Sequence, residues 1–166
     1  MTIMPCSYER ADEAAALARS VFKWDDIPIR LSFMIFKYPK NFFVRWLSRF
    51  TDVKDYLSTD IYVDHDDQVV GTIGLYRTWK DFQEAVWVSW FCVLPDARKQ
   101  GIGQALIDHV VSQARAGGYQ IIRLYTSTHP IEKQAQYLYE KNGFFETGRK
   151  KTLFTTIVYR EKQLVD

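Results

Sequence analysis

Ile102, Leu106, Val110 and Ala114 recur every four residues, with Ile107 and Val111 beside them. This spacing predicts an amphipathic helix with one buried face, stopped by Gly117-Gly118. The segment before it has another pattern. Residues 86–94 are apolar at both alternating sets of positions: Val86, Val88 and Trp90 on one, Trp87 and Phe91 on the other. A strand of that kind is buried on both sides, so helices are expected on both faces of its sheet. Residues 121–126 supply the next strand, and a crossover through the helix makes it parallel to the first and right-handed. Residues 132–142 read as a second helix, halted by Asn142-Gly143, and residues 152–159 as a closing strand.

Towards the N-terminus, Thr2–Pro5 reads as a short first strand. Asp12 is placed to cap a helix running through Ala15, Ala16, Leu17 and Ala18 to Phe22. Residues 60–64 and 68–77 are rich in Val, Ile and Tyr, and His65-Asp66-Asp67 between them predicts a hairpin turn. Residues 23–58 look irregular and aromatic, with a helix expected at 41–50. With no repeats or linkers, the 166 residues suit one α/β domain, residues 1–166.

Composition narrows the partners. A net charge of +2, with cations interspersed among acids, gives no nucleic-acid footprint. No apolar run approaches the roughly 18 residues of a membrane span. The two cysteines, Cys6 and Cys92, form neither a metal-ligand nor a disulfide-framework spacing. No signal-peptide pattern opens the chain, so a cytoplasmic protein without metal, membrane or nucleic-acid partners is expected.

The candidate chemistry lies in Arg98, Lys99, Gln100, Gly101, Ile102 and Gly103, between the apolar strand and the helix. A strand, a glycine-bearing turn and a helix N-terminus together present unpaired backbone N–H groups and about half a positive charge from the helix dipole. Two cations at its mouth strengthen the case for a phosphate. A Walker-type loop is excluded, because no G-x-x-x-x-G-K-[ST] occurs. The dinucleotide fingerprint also fails: its third glycine would fall on Leu106, and the following strand ends Leu124-Tyr125-Thr126 without the ribose-binding acid. On these six residues alone, a tight turn carrying two surface cations is an equal reading.

The surroundings add to this. Val93-Leu94-Pro95-Asp96-Ala97-Arg98-Lys99-Gln100-Gly101-Ile102-Gly103 resembles the acetyl-coenzyme A motif of the Gcn5-related N-acetyltransferase (GNAT) family. About forty residues on, Ala135-Gln136-Tyr137-Leu138-Tyr139-Glu140-Lys141-Asn142-Gly143-Phe144 resembles that family's second signature. The likeness is close from Ile61 to about Tyr159 and loose before it. It implies a mixed central sheet of six to seven strands with helices on both faces. It also implies an acceptor-side segment over about 12–58 and an acetyl-CoA-binding core over about 60–160. The implied activity is transfer of an acetyl group from acetyl-CoA, the acyl donor, to a primary amine of a small molecule or peptide. The alternative is a catalytically silent acyl-CoA sensor or protein-interaction domain.

The same resemblance assigns roles. Amides from Arg98 to Gly103 would hold the pyrophosphate. The pantetheine arm would run along Phe91, Cys92, Val93 and Leu94 like an added strand, with a bulge near Phe91 or Cys92 giving an amide to the thioester oxygen. Pro95 suits the strand's end, since it cannot continue a ladder. Tyr139 matches the family's general acid; its spacing from Ala135 fits a core aromatic equally. Protonating a thiolate from a phenol is uphill by roughly 2 kcal/mol, within reach of a positioned hydrogen bond.

A lysine-type amine near pKa 10.4 is neutral only about once in 2,500 at pH 7, an α-amine about one time in ten. The former needs a base more. Many relatives place a glutamate in the strand before the turn, but residues 87–90 hold no acid, leaving Glu84 and Asp81 as candidates. Glu132 replaces the family's frequent asparagine and reads as a helix-start acid favouring the dipole. Cys92 reads as a small core residue, and His65, His109 and His129 earn no role. Phe22, Trp24, Phe33, Phe36, Tyr38, Phe42, Phe43, Trp46, Phe50 and Tyr56 crowd one segment. Most are expected to pack it onto the sheet, with two or three lining an acceptor pocket where Asp25 or Asp26 attracts a cation. A homodimer interface is the other use for them.

Overall fold

The computed structural model describes residues 1–22, 26–38, 41–42, 46 and 52–164. Its elements in chain order are β1 (Thr2–Pro5), α1 (Ala11–Val21), α2 (Asp26–Lys37), β2 (Val53–Val63), β3 (Val69–Thr78), β4 (Ala85–Val93), α3 (Ile102–Ala116), β5 (Ile121–Ser127), α4 (Lys133–Lys141), β6 (Phe145–Lys151) and β7 (Thr156–Gln163). The strands form one seven-stranded sheet in the order β1-β2-β3-β4-β5-β7-β6. Only β4 and β5 pair in parallel, and α3 connects them.

Each face of the sheet carries its own core. On one, the periodic residues Ile102, Leu106, Ile107, Val110 and Ala114 of α3 pack with Val86, Val88, Ile122 and Leu124 of the central strands, joined by Tyr139 and Phe144. On the other, Ala14, Leu17, Ala18 and Val21 of α1 and Ile29 and Phe33 of α2 cover Ile61, Val63 and Cys92. Leu106 is 0% exposed at the centre of the first core. Leu106→Ala is expected to cost about 2–5 kcal/mol, read as a lower urea midpoint with an unchanged slope.

Several sequence expectations shift. Asp12 does not cap α1; the N-cap is Arg10, whose side chain gives the helix no capping bond, and Asp12 sits in the first turn accepting from Lys37 Nζ at 2.6 Å. The stretch expected to be irregular contains α2, whose Pro28 stands in the first turn, where its missing N–H costs nothing. Of the helix expected at 41–50, only residues 41, 42 and 46 are described. Strand β2 starts at Val53, and the closing strand is Thr156–Gln163, later than expected. Strand β6 was not foreseen: six of its seven residues are exposed, so no apolar alternation marks it.

The most consequential departure is inside β4. Against β3, Thr72 pairs with Cys92 and Gly74 with Ser89, so one residue of β3 faces two of β4. Trp90 and Phe91 therefore form a bulge, with Trp90 at φ +42°. The extra residue reverses the phase of the strand. Phe91 and Val93 join Val86 and Val88 on the α3 face, while Trp90 and Cys92 turn to the α1–α2 face. The even alternation expected across residues 86–94 holds only up to the bulge.

Candidate functional site

Parallel pairing of β4 with β5 covers Ala85 to Trp87 against Ile121 to Arg123 and then stops. Beyond that point the strands part, and a cleft of about 950 Å³ opens between them. It is lined by the bulged half of β4, the end of β5, the turn before α3 and one side of α4.

At the turn, a short 3-10 helix (Pro95–Ala97) ends β4. Arg98 braces the chain at its exit: its N–H donates to the Pro95 carbonyl at 3.2 Å and its Nε–H to the Val93 carbonyl at 3.0 Å. Lys99 at φ +62° and Gly101 at φ +81° swing the chain into α3. A Cβ on Gly101 would meet nothing within 4 Å, so the turn opens onto space. The first i→i−4 bond of α3 runs from the Ala105 N–H to the Gly101 carbonyl at 3.0 Å. The amides of residues 101–104 lie ahead of it, at the positive end of the dipole, with no capping side chain. At Gly103, a Cβ would stand 3.3 Å from the end of the Leu138 side chain and 3.4 Å from that of Phe91, so α3 packs closely on α4 and β4 here. Gln104 and Asn142 then exchange two side-chain hydrogen bonds, 2.7 and 3.1 Å, tying the start of α3 to the end of α4.

Of the residues expected along the cofactor path, Phe91, Cys92, Val93, Arg98, Lys99, Gly101 and Gly103 line the cleft. Leu94 does not, because its N–H donates to the Val70 carbonyl at 2.9 Å and extends the β3–β4 ladder. Gln100 points to solvent, and the Ile102 side chain is buried beneath α3.

Tyr139 lines the same cleft, 5% exposed, with its ring 5.7 Å from Phe91 and 5.9 Å from Phe144. Burial drives its hydroxyl well above the ordinary phenol range, the Glu132 charge and Cys92 push it further, and Arg160 opposes them. Tyr139 is thus a phenol that keeps its proton, and desolvation makes giving it up costlier than for a free phenol. Cys92 is also pushed far up by burial, which makes it a poor nucleophile and a core thiol.

Glu84 is not brought here. It stands ahead of β4, at the end of the strand opposite the turn, with Oε1 3.4 Å from Arg123. Asp81 is taken by the Thr78 hydroxyl (2.5 Å), the Trp87 indole N–H (3.0 Å) and Arg123 (2.5 Å), and holds the loop before β4. Glu132 does line the cleft. Its carboxylate reaches back to β5, accepting from Thr126 Oγ1 at 2.6 Å, the Ser127 N–H at 3.0 Å and the Ser127 hydroxyl. It thus joins the end of β5 to the start of α4, whereas a helix-start acid would face its own amides. His65 is exposed in the hairpin turn, His109 lies 3.3 Å from the buried Asp60, and His129 caps a turn through Nδ1.

The aromatic lining comes from other residues than expected. Phe22 and Tyr56 line the cleft, but Phe33 is core, Phe36 packs on Tyr8, and Tyr38, Phe42 and Trp46 are exposed. Trp24, Asp25, Phe43, Phe50 and the Asp26 side chain lie outside the described residues. Tyr76, Trp90, Tyr125 and Tyr159 complete the lining from the strands. The register pair Tyr125–Tyr159 needs both strand boundaries to be foreseen, and Trp90 needs the bulge.

The model of an acetyltransferase (GNAT) domain matches residues 58–146. No curated protein matches the sequence at a significant level. Solved structures do match: an acetyltransferase of the GNAT family from Staphylococcus aureus Mu50 is 20% identical with a TM-score of 0.70, covering 99% of each chain. YncA of Salmonella typhimurium, solved with its cofactor acetyl-CoA, is 15% identical with a TM-score of 0.71, covering 100% of this chain and 95% of the other. An aminoglycoside 6'-acetyltransferase type Ii is 18% identical with a TM-score of 0.70, covering 100% and 99%. At these identities the likeness is one of fold.

Proposed function

The chain belongs to the GNAT family of acetyltransferases, and from that premise we propose that it moves an acetyl group from acetyl-CoA to a primary amine by direct attack. One observation carries the reading: the phosphate-type turn, the bulged strand and a protonated Tyr139 all open onto one cleft. The amides of residues 101–104, with Lys99 beside them, are suited to a pyrophosphate. From there the pantetheine arm runs along the unpaired side of β4 past Val93 and Cys92. The bulge amide faces the thioester oxygen and stabilises it as it becomes an oxyanion.

The amine nitrogen attacks the carbonyl carbon, the C–S bond breaks, and Tyr139 gives its proton to the departing sulfur. Glu84 has no part in this proposal, because its carboxylate is spent on Arg123 away from the cleft. The ammonium proton passes to solvent at the open mouth. No helix among the described residues is long and apolar enough to cross a membrane, and a cytoplasmic site of action is part of the proposal.

Acetyl-CoA at about 100 times its Kd is expected to raise Tm by roughly 5–10 °C, from about 2.7 kcal/mol of linked stabilisation. An unmoved Tm would refute cofactor binding. A raised Tm with no coenzyme A released on any amine would favour the silent sensor.

A further inference from the structure

The acceptor half of the cleft has two aromatic walls on different strands. On the first, Trp90 is held at φ +42° by the bulge, and its indole packs 6.0 Å from Phe22. Backbone in this region is costly for a bulky residue, and here the cost keeps the indole on the α1–α2 face. The Trp90 side chain also meets the Tyr56 hydroxyl, as does Ser32, and the Tyr56 ring lies 5.9 Å from Tyr76. On the second wall, Tyr125 of β5 and Tyr159 of β7 are register partners with rings 6.5 Å apart. Both walls line the one cleft. Burial drives the Tyr56 hydroxyl up to about 12 and Tyr76 beyond it, so this wall is neutral throughout the physiological range.

Charge is segregated along the cleft. Arg98, Lys99 and Lys141 line its phosphate end. Among the described lining residues the acid is Glu132, already engaged by Thr126 and Ser127. Along the described lining, the remaining ammonium groups of a polyamine or an aminoglycoside would lie among neutral phenols. A single amine on a flat apolar body would bury that body between two sets of ring faces and leave its one nitrogen free for the thioester.

We infer that the acceptor is an arylalkylamine, one primary amine on a short chain carrying an aromatic ring, gripped between the Trp90–Tyr56–Tyr76 wall and the Tyr125–Tyr159 wall. The inference rests on the acetyl-transfer reading and adds the substrate class to it.

Coenzyme A release by the intact chain would be compared for 2-phenylethylamine, n-butylamine, spermidine and kanamycin. The kcat/KM for 2-phenylethylamine is expected to exceed that for n-butylamine by about tenfold or more, the worth of burying a ring, and to exceed the two polycations as well. Tyr125→Ala alters a half-exposed side chain and should fold; it is expected to pull the phenylethylamine-to-butylamine ratio towards one. Spermidine or kanamycin as the better substrate, or a ratio that Tyr125→Ala leaves unchanged, would overturn the substrate class and spare the acetyl-transfer reading. No turnover of any amine would overturn both, and Tm with acetyl-CoA would then tell a sensor from a protein that binds no acyl-CoA.

Discussion

Tyr139→Phe is expected to cut turnover by about 100-fold or more while acetyl-CoA affinity stays within about twofold. The ring makes the packing contacts, at 5.7 Å from Phe91 and 5.9 Å from Phe144, and Phe keeps both. Only the proton is lost. The thiolate must then leave unprotonated or draw a proton from water, so the deficit should shrink for acyl thioesters whose thiols are more acidic. Tyr139 is pushed above the usual phenol range, so its ionisation cannot shape the activity profile at or below pH 10. Steady-state kinetics with a binding isotherm check both halves. Unchanged turnover would make Tyr139 a core residue only, the role that its helical spacing also allows.

A second large effect is expected from alkali. Tyr76 and Tyr139 are both buried and both hold their protons far more tightly than an exposed phenol, chiefly through desolvation. Each group's folded pKa lies above its unfolded value, so its contribution is intact below about pH 10 and is lost as pH rises further. Above that point the unfolded chain sheds protons that the native fold retains at Tyr76 and Tyr139, and also at Tyr56 and the Cys92 thiol. Each such group steepens the fall by about 1.4 kcal/mol per pH unit, and together they are enough to unfold a domain of ordinary stability by about pH 12. Circular dichroism against pH would show a steep alkaline transition. Tyr76→Phe or Tyr139→Phe should each make the slope shallower by about 1.4 kcal/mol per pH unit. A flat profile to pH 12 would mean that water reaches both hydroxyls.

How far the sequence was legible depends on what each residue touches. Helix α3 was readable because Leu106, Ile107 and Val110 meet one continuous core and so keep one period. The turn into α3 was readable as a turn because a left-handed position favours glycine, and Gly101 stands at φ +81°. Strand β6 was not, since six of its seven side chains face water and alternation carries no signal there. The family resemblance pointed to a bulge near Phe91 or Cys92, and it stands at Trp90 and Phe91, but its change of phase was not legible in the residues: every one from Val86 to Val93 except Ser89 is apolar or a buried thiol. Through that change Trp90 turns to the α1–α2 face. Glu132 was visible but misassigned, because its partners Thr126 and Ser127 become neighbours only when β5 ends beside α4.

The two outer margins of the sheet share a property that bears on crowding. β1 is four residues long and ends in Pro5, which has no N–H to offer a neighbouring strand. β6 carries Glu146, Arg149, Lys150 and Lys151 along an exposed margin, with an irregularity between Glu146 and Gly148. Short length, proline, charge and a broken register each discourage edge-to-edge association of sheets. Neighbouring molecules therefore meet blunted borders on the outside. Among the described residues the sheet also opens from within, at the seam between β4 and β5 beyond Trp87, where the cleft lies.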